Sequence, residues 1–233
     1  MCGRYTLTVS GHDLAREYST DPGEPSDWQP VFSLAPSNRV PAVREYVNED
    51  GQLHRELIRM SWGLRPSWAK EKGPRPINAR LETAASKPLF RASFSKMRAV
   101  IPMSGYYEWI PEDGKKQPYY LHREDHTILH AAGLYAARKD KDEQWQLSCA
   151  IITTDAKDAA GEVHDRMPVF LSEELASDWL HPGPLDSAEE MTARLADAAE
   201  AGAQSLQVRK VSQRVNNTRT VDRTDPTLIS AID

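Results

Sequence analysis

From residue 98 onwards, short apolar runs alternate with polar turns. The runs "RAVIPM", "YYEWI", "QPYYLHR", "TILHAAGLYAA", "WQLSCAIITT" and "MPVFLS" are β-branched or aromatic and are parted by turn signals such as "PEDGKKQP", which predicts a succession of strands. Upstream, "LTVSGHDLAREYS" reads as a strand end and a short helix beginning near Ser10 or His12 and Asp13. A Pro-rich stretch then enters a strand over 41–47, and "RELIRMSW" is a strand running into a long loop of Pro, Gly and Trp. "KPLFRASFSKM" suits a short helix. Two helices come late: Ser172 can cap "EELASDWL", and Ser187 can cap "AEEMTARLADAAEAG", with Glu190 completing a capping-box pattern and Gly202 stopping the helix. "SLQVRKVS" is a last strand. A block of strands with helices towards the ends predicts an α+β fold, a mainly antiparallel or mixed, barrel-like β-sheet core with flanking helices. There is no regular βαβ alternation, no internal repeat and no linker, so residues 1–233 are expected to be a single domain.

With 39% hydrophobic and 27% charged residues the chain can bury one sizeable core. No apolar run is long enough to span a membrane and no charged-then-apolar leader is present, so no membrane partner is expected. Two cysteines make no disulfide framework, which points to a reducing, cytoplasmic setting. Cys149, in an apolar strand-like run, reads as a small buried hydrophobe. Nothing resembling a heptad demands a partner, so a monomer is expected. The net charge of −5 is uneven: residues 55–101 carry eleven Lys/Arg against three acids, an excess of eight that leaves −13 elsewhere. On charge alone this stripe is a solvated basic surface, although it could bind phosphates locally.

His122, His126 and His130 are spaced by four, but they fall in strand and turn contexts where that spacing does not converge. There is no Cys-x-x-Cys or His-Glu-x-x-His, so no metal or other cofactor is expected. A Gly-rich phosphate loop and a Gly-x-Ser-x-Gly elbow are also missing. Four stretches remain. "INARLET" alternates Asn78, Arg80 and Glu82, which a strand would project to one side. "SGYYEWI" sets Glu108 between Tyr107 and Trp109, where aromatic neighbours would raise its pKa towards neutrality and suit it to general acid work. "EVHDRMPVFL" holds His164, Asp165 and Arg166 where a loop enters an apolar strand. "MCGRYT" puts one of the two cysteines, Cys2, and Arg4 at the start. Taken singly, each has a plain structural explanation.

Together, in that order, they resemble the SOS-response-associated peptidase family, the abasic-site-processing proteins that crosslink to abasic sites in single-stranded DNA. "LAPSNRVPAV", "SWGLRPSWA", "KKQPYYL" and "VSQRVNN" extend the likeness nearly end to end. Ser104 and Ser33 depart from it, standing where the family often has Asp and Asn. The resemblance implies that, with Met1 removed, Cys2 presents an α-amine beside a thiol. Both nucleophiles, with ordinary pKa values of about 7.7–8.0 and ~8.5, would be partly available at neutral pH. The amine would form an imine with the open aldehyde of an abasic site, and the thiol would close a thiazolidine ring. Glu108 would shuttle protons at the sugar, His164 would act in proton transfer there, and Asn78 would orient the terminus or the sugar. Arg4, Arg80, Arg166 and Thr153 would bind phosphates, while Pro36 and Trp68 would wedge and stack flanking bases. The implied partner is single-stranded DNA containing abasic sites, met in the cytoplasm and at the nucleoid.

Two rival readings use the same residues. Cys2 could attack an amide, with His164 or Glu108 as base, as a cysteine peptidase or N-terminal-nucleophile hydrolase, including release of its own Met1. Alternatively, the protein could read modified DNA without catalysis, which would make Cys2 dispensable.

Overall fold

The computed structural model describes residues 2–20 and 24–232. Met1, whose removal the chemistry above requires, lies outside the described residues. The first half comprises β1 (Tyr5–Leu7), α1 (Gly11–Glu17), β2 (Val31–Leu34), β3 (Arg39–Val47), β4 (Leu53–Trp62), β5 (Asn78–Arg80), α2 (Leu81–Ala84) and α3 (Arg91–Lys96). β6 (Arg98–Met103), β7 (Gly105–Glu112), β8 (Lys115–Arg123), β9 (Leu129–Lys139) and β10 (Trp145–Asp155) follow as a run of strands. The chain ends with α4 (Asp158–Val163), β11 (Arg166–Pro168), α5 (Glu173–Leu180), α6 (Ala188–Ala203) and β12 (Leu206–Lys210), and short 3₁₀ turns complete it.

Five strands close on themselves in the order β3-β4-β10-β9-β6, with β6 returning to β3 through Val43 and Val100. A ring of five cannot be antiparallel throughout, because strand direction would have to alternate an odd number of times. The one parallel join is β4 to β10, through Ser61–Ser148 and Trp62–Cys149. β5 then takes over the same edge of β10, pairing Asn78 with Ile151 and Arg80 with Thr153. β4 therefore hands β10 on to β5, and the 63–77 segment, carrying Trp68, leaves between them. A second, wholly antiparallel sheet runs β12-β8-β7-β1-β2. The main core joins both layers around Trp62, Tyr106, Phe94, Met60 and Trp179, all essentially unexposed. Burying an apolar side chain of this size contributes about 1.5–3 kcal/mol.

Local signals account for most elements. Ser10, Ser172 and Ser187 each accept from the backbone N–H three residues on, at Asp13, Leu175 and Glu190, as N-caps do. α6 runs through Gly202 to Ala203, so that glycine does not stop the helix. Its place has another reason, since a Cβ there would lie 3.3 Å from Phe170 Cβ. One further reading is corrected. Glu82 lies in α2 rather than continuing the strand, so it does not alternate with Asn78 and Arg80. α4, which carries the histidine loop, has no legible sequence signal: Lys157 precedes it without a side-chain cap.

Gly105 opens β7, which pairs antiparallel with β8. A Cβ there would strike the Tyr120 hydroxyl and lie 2.6 Å from Leu121 O. Gly105→Ala is expected to destabilise the protein by about 1–3 kcal/mol through forced displacement of this packed pair. A shifted midpoint with unchanged slope in urea denaturation would show it.

Candidate active site

The site lies where the two sheets meet. Cys2 leads into β1, whose partner β7 pairs Tyr5 with Tyr106 and Thr6 with Gly105. Tyr107 N–H donates to Arg4 O at 2.9 Å, extending the ladder towards the terminus. The same register sets Glu108 across from Gly3, beside Cys2. From the barrel side, Asn78 Nδ2 donates to Cys2 O at 2.9 Å. One terminal residue, one strand residue and one barrel residue are thus brought together, and α4 packs against β7 and delivers His164 from its C-terminal end.

Glu108 is 3% exposed. Burial pushes its pKa from 4.5 up to about 7, with the positive chain terminus pulling down and Asp165 adding to the rise. The expected elevation is present but has a different source. Tyr107 and Trp109 point to the opposite face of β7, into a small satellite cluster with Tyr120, Val211 and Leu228. Tyr106 shares the Glu108 face, and burial, followed by Cys2 and Glu108, raises its pKa. Strict alternation in "YYEWI" is the signal that points to Tyr106.

Cys2 is fully buried. Burial, and next the Glu108 charge, push its thiol well above the ordinary range. The thiol is therefore held protonated at neutral pH, where an ordinary cysteine would be partly ionised. His164 has a lowered pKa, chiefly from burial and then from the positive terminus, opposed by Asp165 and by the Arg166 amide. Its Nδ1 lies 3.0 Å from Arg166 N and 2.7 Å from Asp165 Oδ1. An accepted amide proton would put the ring proton on Nε2, whereas donation to Asp165 would leave Nε2 a base. Asn78 Oδ1 and the Tyr106 hydroxyl are buried and have no hydrogen-bond partner among the described residues. Such polar atoms cost free energy until something bonds them.

The four residues predicted to bind phosphates lie in different settings. Arg80 is exposed on β5, beside Thr153, which is 1% exposed. Arg4 is buried, donates to Ser33 Oγ at 3.1 Å and Val215 O at 2.8 Å, and lies over Trp109. Ser33, one of the two departures from the family pattern, is thus a partner of Arg4. The other, Ser104, accepts from Thr8 N–H at 2.9 Å. Arg166 is held by both oxygens of Glu82 at 2.9 Å, by Asp155 at 2.5 Å and by Thr153 O at 2.6 Å. Glu82 and Asp155 carry no sequence signal as its partners, because α2 and the end of β10 meet only in the fold. Pro36 is exposed in the turn after β2, where Ser37 N–H donates to Trp62 O, and Trp68 is 63% exposed. Arg166→Ala would strand the partly covered Glu82. It is expected to cost about 1–3 kcal/mol, less than a fully buried pair because both carboxylates reach solvent. Chemical denaturation of the variant beside Arg166→Lys, which should recover part of the loss, would measure this.

No group of three or more His, Cys, Asp or Glu side chains suited to a metal occurs among the described residues. His122 and His126 stack ring on ring, while His130 turns to Tyr18 at 2.7 Å. No helix among the described residues is long and apolar enough to cross a membrane.

Fold and site together define a single-domain α+β protein built on a five-strand mixed barrel, with a buried cysteine near the start of the chain beside a buried carboxylic acid. The chain belongs to the SOS response associated peptidase (SRAP) family, whose profile matches residues 1–218. Among its relatives, "Abasic site processing protein YoaM" of Bacillus subtilis (strain 168) is 36% identical over 186 residues, covering 78% of this chain and 80% of that protein. "Abasic site processing protein YedK" of Escherichia coli (strain K12) is 31% identical, covering 77% and 79%. A solved phage-related protein from Bordetella bronchiseptica superposes with a TM-score of 0.67 at 28% identity, over 91% of this chain and 95% of that one. A Bacteroides thetaiotaomicron structure reaches 0.79 over the whole of both chains at 24% identity, which speaks to the fold alone.

Proposed function

We propose that this protein processes abasic sites in DNA, and that with Met1 removed it captures the lesion in single-stranded DNA as a covalent thiazolidine through Cys2. The observation that carries the reading is the placement of a carboxyl group poised near neutrality beside the first residues of the chain. The order of events follows from the electrostatics. A buried, protonated thiol is a poor first nucleophile, so the α-amine attacks the aldehyde carbon, and the carbinolamine loses water to give the imine. The thiol sulfur then adds to the imine carbon and its proton passes to the nitrogen, closing the five-membered ring.

Glu108, protonated below about 7, donates to the sugar ring oxygen as the hemiacetal opens, and as a carboxylate it accepts the thiol proton during closure. His164 moves protons at the opened sugar. Asn78 holds the Cys2 carbonyl and offers its second amide atom, with the Tyr106 hydroxyl, to the sugar. Arg80, Thr153, Arg4 and Arg166 would bear on the phosphates, Arg4 and Arg166 after exchanging internal partners, with Pro36 and Trp68 against the bases. The raised thiol speaks against a peptidase that attacks other proteins with a Cys2 thiolate.

The test is incubation of the mature protein, its mass confirming loss of Met1, with a single-stranded oligonucleotide bearing one abasic site. A heat-stable shifted band on a denaturing gel is expected. No band with an intact lesion would overturn the reading.

A further inference from the structure

The loop that carries Trp68 has an arginine on each stem. Arg65, on the outgoing stem, is tied to the barrel by its backbone N–H, which donates to Ser148 Oγ at 2.8 Å. Arg75, on the returning stem, packs so close to Gly63 that a Cβ there would lie 3.4 Å from its own. The stems are pinned by Leu64 N–H donating to Pro76 O at 2.9 Å. Arg138 approaches from β9, where the register sets Ala136 opposite Ser148 and Arg138 opposite Gln146, two positions along the same face. Burial, and then the Arg138 and Arg75 charges, lower the Arg65 pKa, and Glu71 opposes them.

The guanidinium groups of Arg65 and Arg138 have fewer acceptors than those of Arg98 and Arg166. Nε and Nη2 of Arg65 and Nη1 of Arg138 are buried with no acceptor among the described residues. Arg166 is clasped by two carboxylates, and Arg98 donates to the carbonyls of Trp179 and Gly183. Charged donors that face one another and lack acceptors are unfavourable on their own. They suit an anion that offers several acceptor oxygens, such as a phosphate group, for which guanidinium forks are well shaped.

We propose that Arg65, Arg75 and Arg138 form a phosphate-binding site at the base of the Trp68 loop, and that the phosphate it takes is a phosphodiester of the DNA strand beyond the lesion. The choice of strand phosphate rests on the abasic-site reading above, whereas the affinity for phosphate does not. Position supports the strand. β10 runs from Ser148, at this cluster, to Ile151 opposite Asn78 and Thr153 opposite Arg80. Three residues at about 3.3 Å each set the two backbone positions ~10 Å apart along β10, with their side chains on alternate faces of the strand. The exposed Trp68 indole sits at the head of the same loop.

The test compares wild type with Arg65→Gln/Arg138→Gln in two arms. In the first, binding of single-stranded DNA without a lesion is titrated across salt concentrations. The double variant is expected to bind about 5-fold or more weakly at low salt, with a log–log salt slope shallower by ~0.7 for each phosphate that the protein no longer neutralises. In the second, inorganic phosphate is expected to raise the Tm of wild type but not of the variant. Both changes support the site and its strand phosphate. A phosphate-dependent Tm difference with identical DNA binding would keep the anion site and overturn its assignment to the strand, and no difference in either arm would overturn the whole. Removing like charges should leave the unliganded Tm equal or higher, so misfolding would be visible as a lower one. If wild type fails to crosslink abasic DNA while the phosphate effect persists, the functional reading falls and the anion site stands.

Discussion

Cys2→Ser is expected to lose the heat-stable adduct by roughly 100-fold or more while keeping an imine that borohydride can trap. The variant retains the α-amine and the backbone, so Asn78 can still hold the residue-2 carbonyl as it does now, at 2.9 Å. What it loses is the sulfur that adds to the imine carbon. A hydroxyl is a weaker nucleophile towards that carbon, and the oxygen-containing ring it would form opens readily. The measurement is a pair of denaturing gels, with and without borohydride, on mature protein of confirmed mass. Full heat-stable product from the serine variant would remove ring closure from the mechanism. Loss of the trapped adduct as well, in a folded protein, would mean that the thiol and not the amine attacks first. A non-catalytic reader of DNA would show no adduct in any lane.

Glu108→Gln should slow crosslinking by about 10²–10⁴-fold and change its pH profile. In the wild type the attacking amine must be neutral, which favours pH above its ordinary value of about 7.7–8.0. The general acid must hold its proton, which favours pH below about 7. The rate should therefore rise with pH, peak between the two values and fall again, and the glutamine variant should lose the falling limb. A falling limb that survived would assign the acid to another group. Stability should move the other way. Because the folded-state pKa is raised from 4.5 to about 7, the folded form binds the proton more tightly than the unfolded form. The contribution is fully present below the unfolded value and is lost as pH rises through about 7. At pH 8 the glutamine variant escapes that loss and should be more stable by up to roughly 3 kcal/mol, read as a higher Tm that converges with wild type near pH 4. A carboxyl kept buried at such a cost is consistent with a working group rather than a structural one.

How much of this could be read from the chain alone differs from element to element. Ser10, Ser172 and Ser187 announced their helices because a cap is a contact between residues three apart. The strands from residue 98 onwards were legible because alternation and β-branched composition are local properties. The sequence by itself also placed a thiol at the second position, and the proposed amine-and-thiol chemistry there would depend on no distant partner. It marked Asn78, Glu108 and His164 through motifs.

Tertiary structure decided the rest. The raised pKa of Glu108 was anticipated from its neighbours in sequence, yet Tyr107 and Trp109 turn away, and burial against the main core produces the shift. That the Cys2 thiol is held protonated follows from complete burial beside Glu108 and is invisible in a hexapeptide. Glu82 and Asp155 meet Arg166 only because β5, β10 and β11 are laid side by side. The three arginines below Trp68 come from stretches up to 73 positions apart, and only the β9–β10 register and the pinned loop stems unite them. Local patterning sets elements because their energetics act over a few residues. Titration, ion pairing and anion affinity depend on what surrounds a group in space, and that is fixed only when the barrel closes.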